Sequence, residues 1–466
     1  MNGAIEMPAE VSPIDHAALL STLTFAASRN QQQIQSGTKQ LQHWETKAGF
    51  YEALQDVYIR QDLPIEIRIL SLLQLKNGID KYWRRAALNA IPADERDHIR
   101  ARLLASGVTL ETPQLVSLNA IVIAKVARQD FPHAWPTMIQ ELISYLRESY
   151  GPKLLSALQI SLQVIKELST VRLARMKSSL YSNASEWLSV LCGLYQRGID
   201  QWSQTIHTLS SDMLEAMVTT EKCLKSIRRL ITAGFEAPGT DAGVQSFWVT
   251  SCSHLHSFFD LVSTAIPPPI KLSISRHMVQ FAKLHHAIAD HQPLSFVQLP
   301  EACALAKTYW QYSTAIRAQT TSYDDSLDDN PEDSQLHSLC LRGLLLMRAC
   351  FKLVYSPVTG MHLRDKQIRE ELDRGKEYVQ KTLLQEEFVM EMFRTLVEKF
   401  FFLNQADVDD WTTEAEEWEI RVEGGDAAYE HSVRPCAERL FLDITFNYKK
   451  PTISTLLALT SQISGM

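Results

Sequence analysis

Residues 64–85 read PIEIRILSLLQLKNGIDKYWRR, and this stretch decides the fold. Pro64 suits the first turn of a helix, where the N–H that proline lacks would be unpaired anyway. Apolar residues then recur with the helical period and form one broad face: Ile65, Ile69, Leu72, Leu73, Leu75, Ile79, Tyr82 and Trp83. Asn77, Lys81 and Arg84 fall on the opposite face. The pattern predicts an amphipathic helix that packs against neighbouring helices.

Lys76 and Asp80 lie inside the apolar arc of this helix, four residues apart. A lysine in an apolar arc needs a carboxylate, and Asp80 is close enough to supply one. Two interpretations stay open. The helix is either a packing element with one internal ion pair, which the stretch by itself favours, or its polar edge is a binding surface.

A second stretch, PQLVSLNAIVIAKVARQDFP at 113–132, repeats the first. One offset of 49 residues matches Pro64 with Pro113 and Lys76 with Lys125, together with three apolar positions between them. This period, with two helices per unit, is close to that of HEAT-type repeats. The second helix is apolar nearly all round, as expected of a helix sandwiched between neighbours. The sequence therefore predicts a solenoid of stacked helix pairs.

Helical patterns continue along the chain, and no strand or hairpin signal interrupts them. The first eight are expected near 14–27, 30–45, 48–60, 64–85, 93–106, 113–129, 135–148 and 152–170. Residues 1–12 are expected to form a flexible tail. The end of the chain is amphipathic and lacks a polar capping element, which favours a piece of a longer protein whose C-terminal remainder is missing. The predicted fold class is all-α.

Composition excludes several classes of protein. The net charge of −8 argues against direct nucleic-acid binding, although it is compatible with basic partners. Seven scattered cysteines without a CxxC pair indicate reduced thiols. The N-terminus does not resemble a signal peptide, and no apolar run is long enough for membrane insertion.

Motifs of catalysis and of metal binding are missing from the sequence. It contains no P-loop, no GxSxG and no HExxH, so we expect no enzyme, no catalytic residues and no cofactor. His254 and His256 would point apart on a helix and make a poor metal pair. We expect His285, His286 and His291 to cap a helix or to face solvent, so no metal site is predicted.

Residues 321–335, TSYDDSLDDNPEDSQ, form an acidic interruption without an apolar anchor, and we predict a mobile loop there. Its acids are candidate contacts for a basic partner: Asp324, Asp325, Asp328, Asp329, Glu332 and Asp333. The alternative, which charge runs of this kind favour, is a solvated loop.

Three segments carry a family resemblance: KQLQHWETKAGFYEALQDVY at 39–58, the stretch at 64–85, and IAKVARQDFPHAWPTMIQELI at 123–143. They resemble the N-terminal domain of the importin-β (karyopherin-β) superfamily of nuclear transport receptors. The block DVDDWTTEAEEWEIRVEGGD at 407–426, with HSVRPCAERLFLDI at 431–444, is similar to a later segment of these receptors. Together with DKYWRR, it is most similar to the importin eleven branch. The Glu414–Glu416 step departs from that pattern.

The resemblance implies a right-handed superhelical HEAT-repeat solenoid of antiparallel helix pairs. The N-terminal Ran-binding repeats would span 13–150, with the core of the resemblance at 34–108, and further repeats would span 151–466. The implied function is a nuclear import receptor that releases protein cargo on binding Ran-GTP and contacts phenylalanine-glycine nucleoporins. Such a receptor shuttles between nucleus and cytoplasm through the pores of the nuclear envelope. An export receptor of the same superfamily, and a HEAT-repeat scaffold without Ran dependence, remain alternatives.

The resemblance also assigns candidate Ran contacts to the two matching helices. They are Lys76, Asn77, Lys81 and Arg84 on the first helix, and Lys125 and Arg128 on the second. Stacked repeats would place the two polar edges side by side as one basic surface. Lys76 and Lys125 are equally well explained as members of internal ion pairs.

Overall fold

The computed structural model describes residues 14–206, 209–319, 331–356, 366–402, 405–413, 416 and 428–464. Its packing divides into two compact units, which we describe separately. The first contains the described residues up to Leu194 together with Lys225–Gly234, and the second contains Tyr195–Leu224 and the described residues from Phe235 onward.

The first unit is built from helices that follow the predicted order. They are α1 His16–Ala26, α2 Gln31–Trp44, α3 Phe50–Ile59, α4 Ile65–Tyr82, α5 Ala93–Val108, α6 Pro113–Asp130, α7 Met138–Glu148 and α8 Gly151–Ser169. Helix α9, Ala174–Ser203, and helix α10, Ser211–Gly234, contribute to both units. Neighbouring residues determine where the first helices begin. The side chains of Asp15 and Asn30 accept hydrogen bonds from backbone N–H groups in the first turns of α1 and α2.

Consecutive helices of the first unit pair and then stack in two layers. Helices α3, α5 and α7 form one layer, and α4, α6 and α8 form the other. Helix α6 packs against α4, α5 and α8, and its buried residues cover a broad face of the helix. One edge, which carries Lys125 and Arg128, is not buried, so the helix is less enclosed than its apolar sequence predicted. Stacking of this kind leaves two extended surfaces, one on each layer.

Helix α4 differs in detail from its predicted face. Ile65 and Ile69 are only half-buried and Leu73 is exposed, whereas the inward face carries Ile67, Arg68 and Ser71. The polar members of this face are bonded: Arg68 Nε donates to the Tyr58 carbonyl at 3.0 Å, and the Ser71 hydroxyl donates to that of Leu54 at 2.7 Å. Because backbone carbonyls of α3 accept these bonds, polar side chains can be buried against it.

The second unit contains the later helices. They are α11 Ala242–Val262, α12 Pro268–His291, α13 Pro293–Gln298, α14 Ala302–Gln319, α15 Pro331–Tyr355, α16 Lys366–Thr382, α17 Glu386–Thr395, α18 Gln405–Thr413, α19 Val433–Asn447 and α20 Lys449–Ser464. Helix α12 packs on α11 and α15, and α15 also packs on α14 and α19. The described residues contain no strand. The predicted class, an all-α HEAT-repeat solenoid, is confirmed.

The predicted acidic loop is too long at its C-terminal end. Helix α15 begins at Pro331, so residues 331–335 are helical rather than loop. Glu332 and Asp333 lie in its first turn, where carboxylates favour the positive end of the helix dipole. The rest of the predicted loop, like the predicted tail at 1–12, lies outside the described residues.

Candidate functional site

The six candidate Ran contacts all belong to the first unit, where α4 packs directly on α6. Asn77 and Lys81 are exposed on α4, as predicted, and Lys76 is half-buried. Helix α4 ends at Tyr82, so Arg84 lies exposed in the following bend rather than on the helix. The polar edges of the two helices do lie side by side.

The predicted ion pair between Lys76 and Asp80 does not form. Asp80 instead pairs with Lys125 of α6, while the Lys76 ammonium lies 3.5 Å from the Asn77 side-chain oxygen. An exposed carboxylate on α4 can reach the next repeat as easily as the next turn, because stacked helices bring their edges together. The pair that was expected inside one helix therefore links two repeats.

Two further candidates are also paired. Lys81 contacts Glu45, the residue that directly follows α2, at 3.1 Å, and this hydrogen bond raises the pKa of the lysine. Arg128 contacts Glu167 of α8 at 3.1 Å. The edge is therefore a row of alternating cations and carboxylates rather than the uniformly basic strip that the sequence predicted. Each carboxylate lies 36 to 45 residues from its cation in the sequence, so the local sequence pattern could not predict these pairs.

Trp83, which directly follows α4, is buried and connects the end of α4 to the end of α6. Its ring is 1% exposed, and its indole N–H donates to a carboxylate oxygen of Asp130 at 3.1 Å. The same carboxylate contacts Arg100 at 2.7 Å. Because the tryptophan ends one repeat and the aspartate ends the next, this contact fixes the relative position of α4 and α6.

Glu95 is a second inter-repeat contact that the sequence did not indicate. Its buried carboxylate accepts backbone N–H groups of Gly49, Tyr51 and Glu52 at 2.8, 2.9 and 3.1 Å. It thereby caps the start of α3 from the neighbouring helix α5. Burial raises the pKa of Glu95, and the three N–H groups oppose that change.

The described part of the acidic candidate set is already engaged. Glu332 pairs with Lys271 of α12 at 2.6 Å. This contact ties the start of α15 to its neighbour and gives Glu332 a structural role. Asp324, Asp325, Asp328 and Asp329 lie outside the described residues.

The expectation that His285 caps a helix or faces solvent is wrong. Its ring is fully buried, with Nε2 2.8 Å from the Ser251 hydroxyl and Nδ1 2.9 Å from that of Tyr309. A serine beside a histidine resembles a nucleophile and its base. However, both side chains are 0% exposed, and the serine hydroxyl donates to the Trp248 carbonyl at 2.7 Å. The arrangement therefore connects α11, α12 and α14.

Acidification should weaken the second unit through His285, because burial lowers the pKa of that ring to about 3. The unfolded chain, with an ordinary histidine pKa near 6.5, binds the additional proton, so stability is lost as pH falls below that value. Between pH 7 and 5 we expect a loss of about 2 kcal/mol from this group. Urea unfolding at both pH values checks this.

His285→Gln removes the titrating ring and should flatten this pH dependence. Tyr309→Phe is the matched control, because it deletes one hydrogen bond of the network and keeps the buried imidazole. It should lower stability at both pH values and preserve the difference between them. Equal pH dependence in wild type and His285→Gln would contradict the assignment.

The described residues contain no group of three or more histidine, cysteine or acidic side chains that could hold a metal ion. His254 and His256 diverge as predicted, one to Tyr195 and the other to Tyr312. No helix in the described ranges combines the length and apolarity that a membrane crossing requires.

The paired, stacked helices define the class: an all-α HEAT-repeat protein with extended surfaces. The profile of the importin-beta N-terminal domain matches residues 37–109. Importin beta-like protein KAP120 of Saccharomyces cerevisiae is 28% identical over 426 residues, which cover 90% of this chain and 40% of that protein. Importin-11 of Mus musculus is 26% identical over 452 residues, covering 96% and 44%.

Solved structures agree with these relatives. The structure of Lph2, described as a novel bidirectional nuclear transport receptor in S. cerevisiae, superposes with a TM-score of 0.77 at 26% identity and covers 95% of this chain and 42% of that one. The exportin Cse1 in its cargo-free, cytoplasmic state shares the fold, with a TM-score of 0.64 at 15% identity. These comparisons support the importin-beta superfamily for this chain, near the importin-11 branch. It spans less than half the length of these relatives.

Proposed function

We propose that this protein is a nuclear import receptor that carries protein cargo through the nuclear pore and releases it when Ran-GTP binds. The observation that carries the proposal is the row of exposed polar side chains along α4 and α6, within the region that matches the importin-beta N-terminal domain or directly beside it. A solenoid can couple two ligands, because both bias the same curvature. Catalysis is not part of this function.

The proposed partners follow from the same class of protein. Phenylalanine-glycine nucleoporins and protein cargo, including basic cargo, would occupy the extended surfaces left by stacking. The protein would shuttle between nucleus and cytoplasm and pass through the pores of the nuclear envelope. Export is the second candidate function, and it is supported by Lph2, whose description as bidirectional covers both directions.

Lys81→Glu combined with Arg84→Glu is expected to weaken Ran-GTP binding at least tenfold. Both side chains are exposed, so the charge reversal should lower the affinity for the partner more than it lowers the stability of the fold. The Lys81 change places a second carboxylate opposite Glu45, and we therefore expect a folding cost of about 1 kcal/mol there. Titration of GTP-loaded Ran measures the affinity, and circular dichroism measures helix content.

The control for this variant is Arg29→Glu with Lys153→Glu, two exposed cations outside the candidate set that produce the same change in net charge. It should bind Ran-GTP as wild type does. Lys81→Gln with Arg84→Gln removes the charges without the repulsion at Glu45 and should show an intermediate loss. Equal affinity of all variants would remove this edge from the Ran site, and equal binding of Ran-GDP would refute the proposed switch.

A further inference from the structure

A cleft of about 360 Å³ opens beside the end of α4, and none of the six candidate Ran contacts lines it. Seven residues line it: Arg85, Ala93, Arg96, Asp97, Arg100, Asp130 and Ala134. They come from the bend after α4, the start of α5, the end of α6 and the turn that follows. The charged side chains are three arginines and two aspartates, in a protein with a net charge of −8.

Both aspartates of the cleft are already engaged by one arginine. Arg100 contacts Asp97 at 2.6 Å and Asp130 at 2.7 Å. Asp130 also accepts the indole N–H of Trp83 at 3.1 Å. Both carboxylates are therefore held by Arg100, neither forms an ion pair with Arg85 or Arg96, and three arginines against two aspartates leave the cleft with a net charge of +1.

Arg96 is the unusual member, because a buried guanidinium normally faces a carboxylate. Its side chain is nine-tenths buried, and Nη1 donates to the Trp83 carbonyl at 3.1 Å. Its Nε is buried and finds no acceptor among the described residues, and none of their carboxylates forms an ion pair with this arginine. An uncompensated buried charge is costly, so an anion entering the cleft would be stabilised.

The segment after α4 that carries Arg85 also presents an exposed apolar side chain beside the positively charged cleft. Arg85 is exposed at the cleft, and Leu88, three residues later, is 86% exposed. A ligand that uses both features carries an oxyanion and an apolar group. Two arginines can hold a carboxylate through paired N–H groups, which gives geometric selectivity as well as charge.

We propose that this cleft binds a carboxylate side chain of an acidic peptide segment in a partner protein, between Arg85 and Arg96. The proposal does not depend on Ran binding, since neither arginine belongs to the six Ran candidates. The net negative charge of the protein repels an acidic peptide, so any binding must come from a local cationic site such as this one.

Fluorescence anisotropy of a labelled hexaglutamate peptide tests the proposal on the whole chain at low ionic strength. Hexaglutamate should bind, and hexaglutamine should not. Arg85→Glu should reduce the affinity at least tenfold, whereas Arg172→Glu, an exposed arginine outside the cleft, should change it less than twofold. Arg96→Met keeps the length of the side chain and should also abolish binding, with circular dichroism to verify the fold.

Three results would overturn the proposal. Equal losses in Arg85→Glu and Arg172→Glu would mean diffuse electrostatic attraction rather than a site. Equal binding of hexaglutamine would show that charge is not recognised. Binding of a phosphoserine peptide or of inorganic phosphate, without binding of hexaglutamate, would assign the cleft to phosphate instead. Ran-GTP affinity should be unchanged in Arg85→Glu, which separates this test from that of the proposed function.

Discussion

Replacing Trp83 with alanine is expected to lower the free energy of unfolding by about 3–5 kcal/mol. The ring is 1% exposed and fills the space between α4 and the end of α6. Its removal leaves a cavity and takes one hydrogen-bond donor from the buried Asp130. Urea unfolding followed by circular dichroism measures the change without depending on the fluorescence of the lost tryptophan.

Two variants separate packing from hydrogen bonding at this position. Trp83→Phe retains most of the apolar volume and loses the indole N–H, so its cost should be about 1–3 kcal/mol. Trp411→Ala truncates a tryptophan that is 53% exposed, and its effect should stay within about 0.5 kcal/mol. A loss below 1 kcal/mol for Trp83→Ala would contradict the role assigned to this ring.

Gly78→Ala should be the second most damaging of these changes, at about 2–3 kcal/mol, although alanine favours helices more than glycine does. A methyl group at this position of α4 would lie 1.9 Å from a ring carbon of Tyr51. That ring is 2% exposed, and its hydroxyl donates to the Glu45 carbonyl at 2.9 Å, so it has little room to move. The helices α3 and α4 would have to separate.

Gly193→Ala is the matched control for this prediction. Gly193 also lies inside a helix, but a methyl group there meets no atom within 4 Å. We therefore expect a gain of about 0.5–1 kcal/mol from helix propensity alone. Thermal and urea unfolding of both variants should show opposite signs. A stabilising Gly78→Ala would mean that α3 and α4 are packed less tightly than described.

Much of the fold could be predicted from local patterns. The first eight helices lie within three residues of their expected bounds at each end, because prolines, caps and apolar periodicity act over a few residues. The match between 64–85 and 113–132 also predicted correctly that α4 and α6 are neighbours. The acidic segment was less well predicted. A helix begins at Pro331, but the acidic residues of its first turn made the sequence there resemble a loop.

The candidate site was only partly predictable. Exposure of Asn77, Lys81 and Arg84 followed from their face of the helix, which the sequence determines by itself. The partners of Lys81, Lys125 and Arg128 did not follow, because they lie on other helices. The cleft at Arg96 could not be predicted for the same reason, because its lining comes from two helices, the bend after α4 and the turn after α6.

The sequence alone therefore determined the helices, their amphipathic faces and the repeat that stacks them, since each is a property of residues near one another in the chain. The tertiary structure alone decided which charges are compensated. Asp80 pairs with Lys125 rather than with Lys76, and His285 is buried rather than solvent-facing. Arg96 is buried, and its Nε finds no acceptor in the part of the chain that the structure describes. Electrostatic and hydrogen-bond partners depend on distance in space, and stacking brings together residues that the sequence keeps dozens of positions apart.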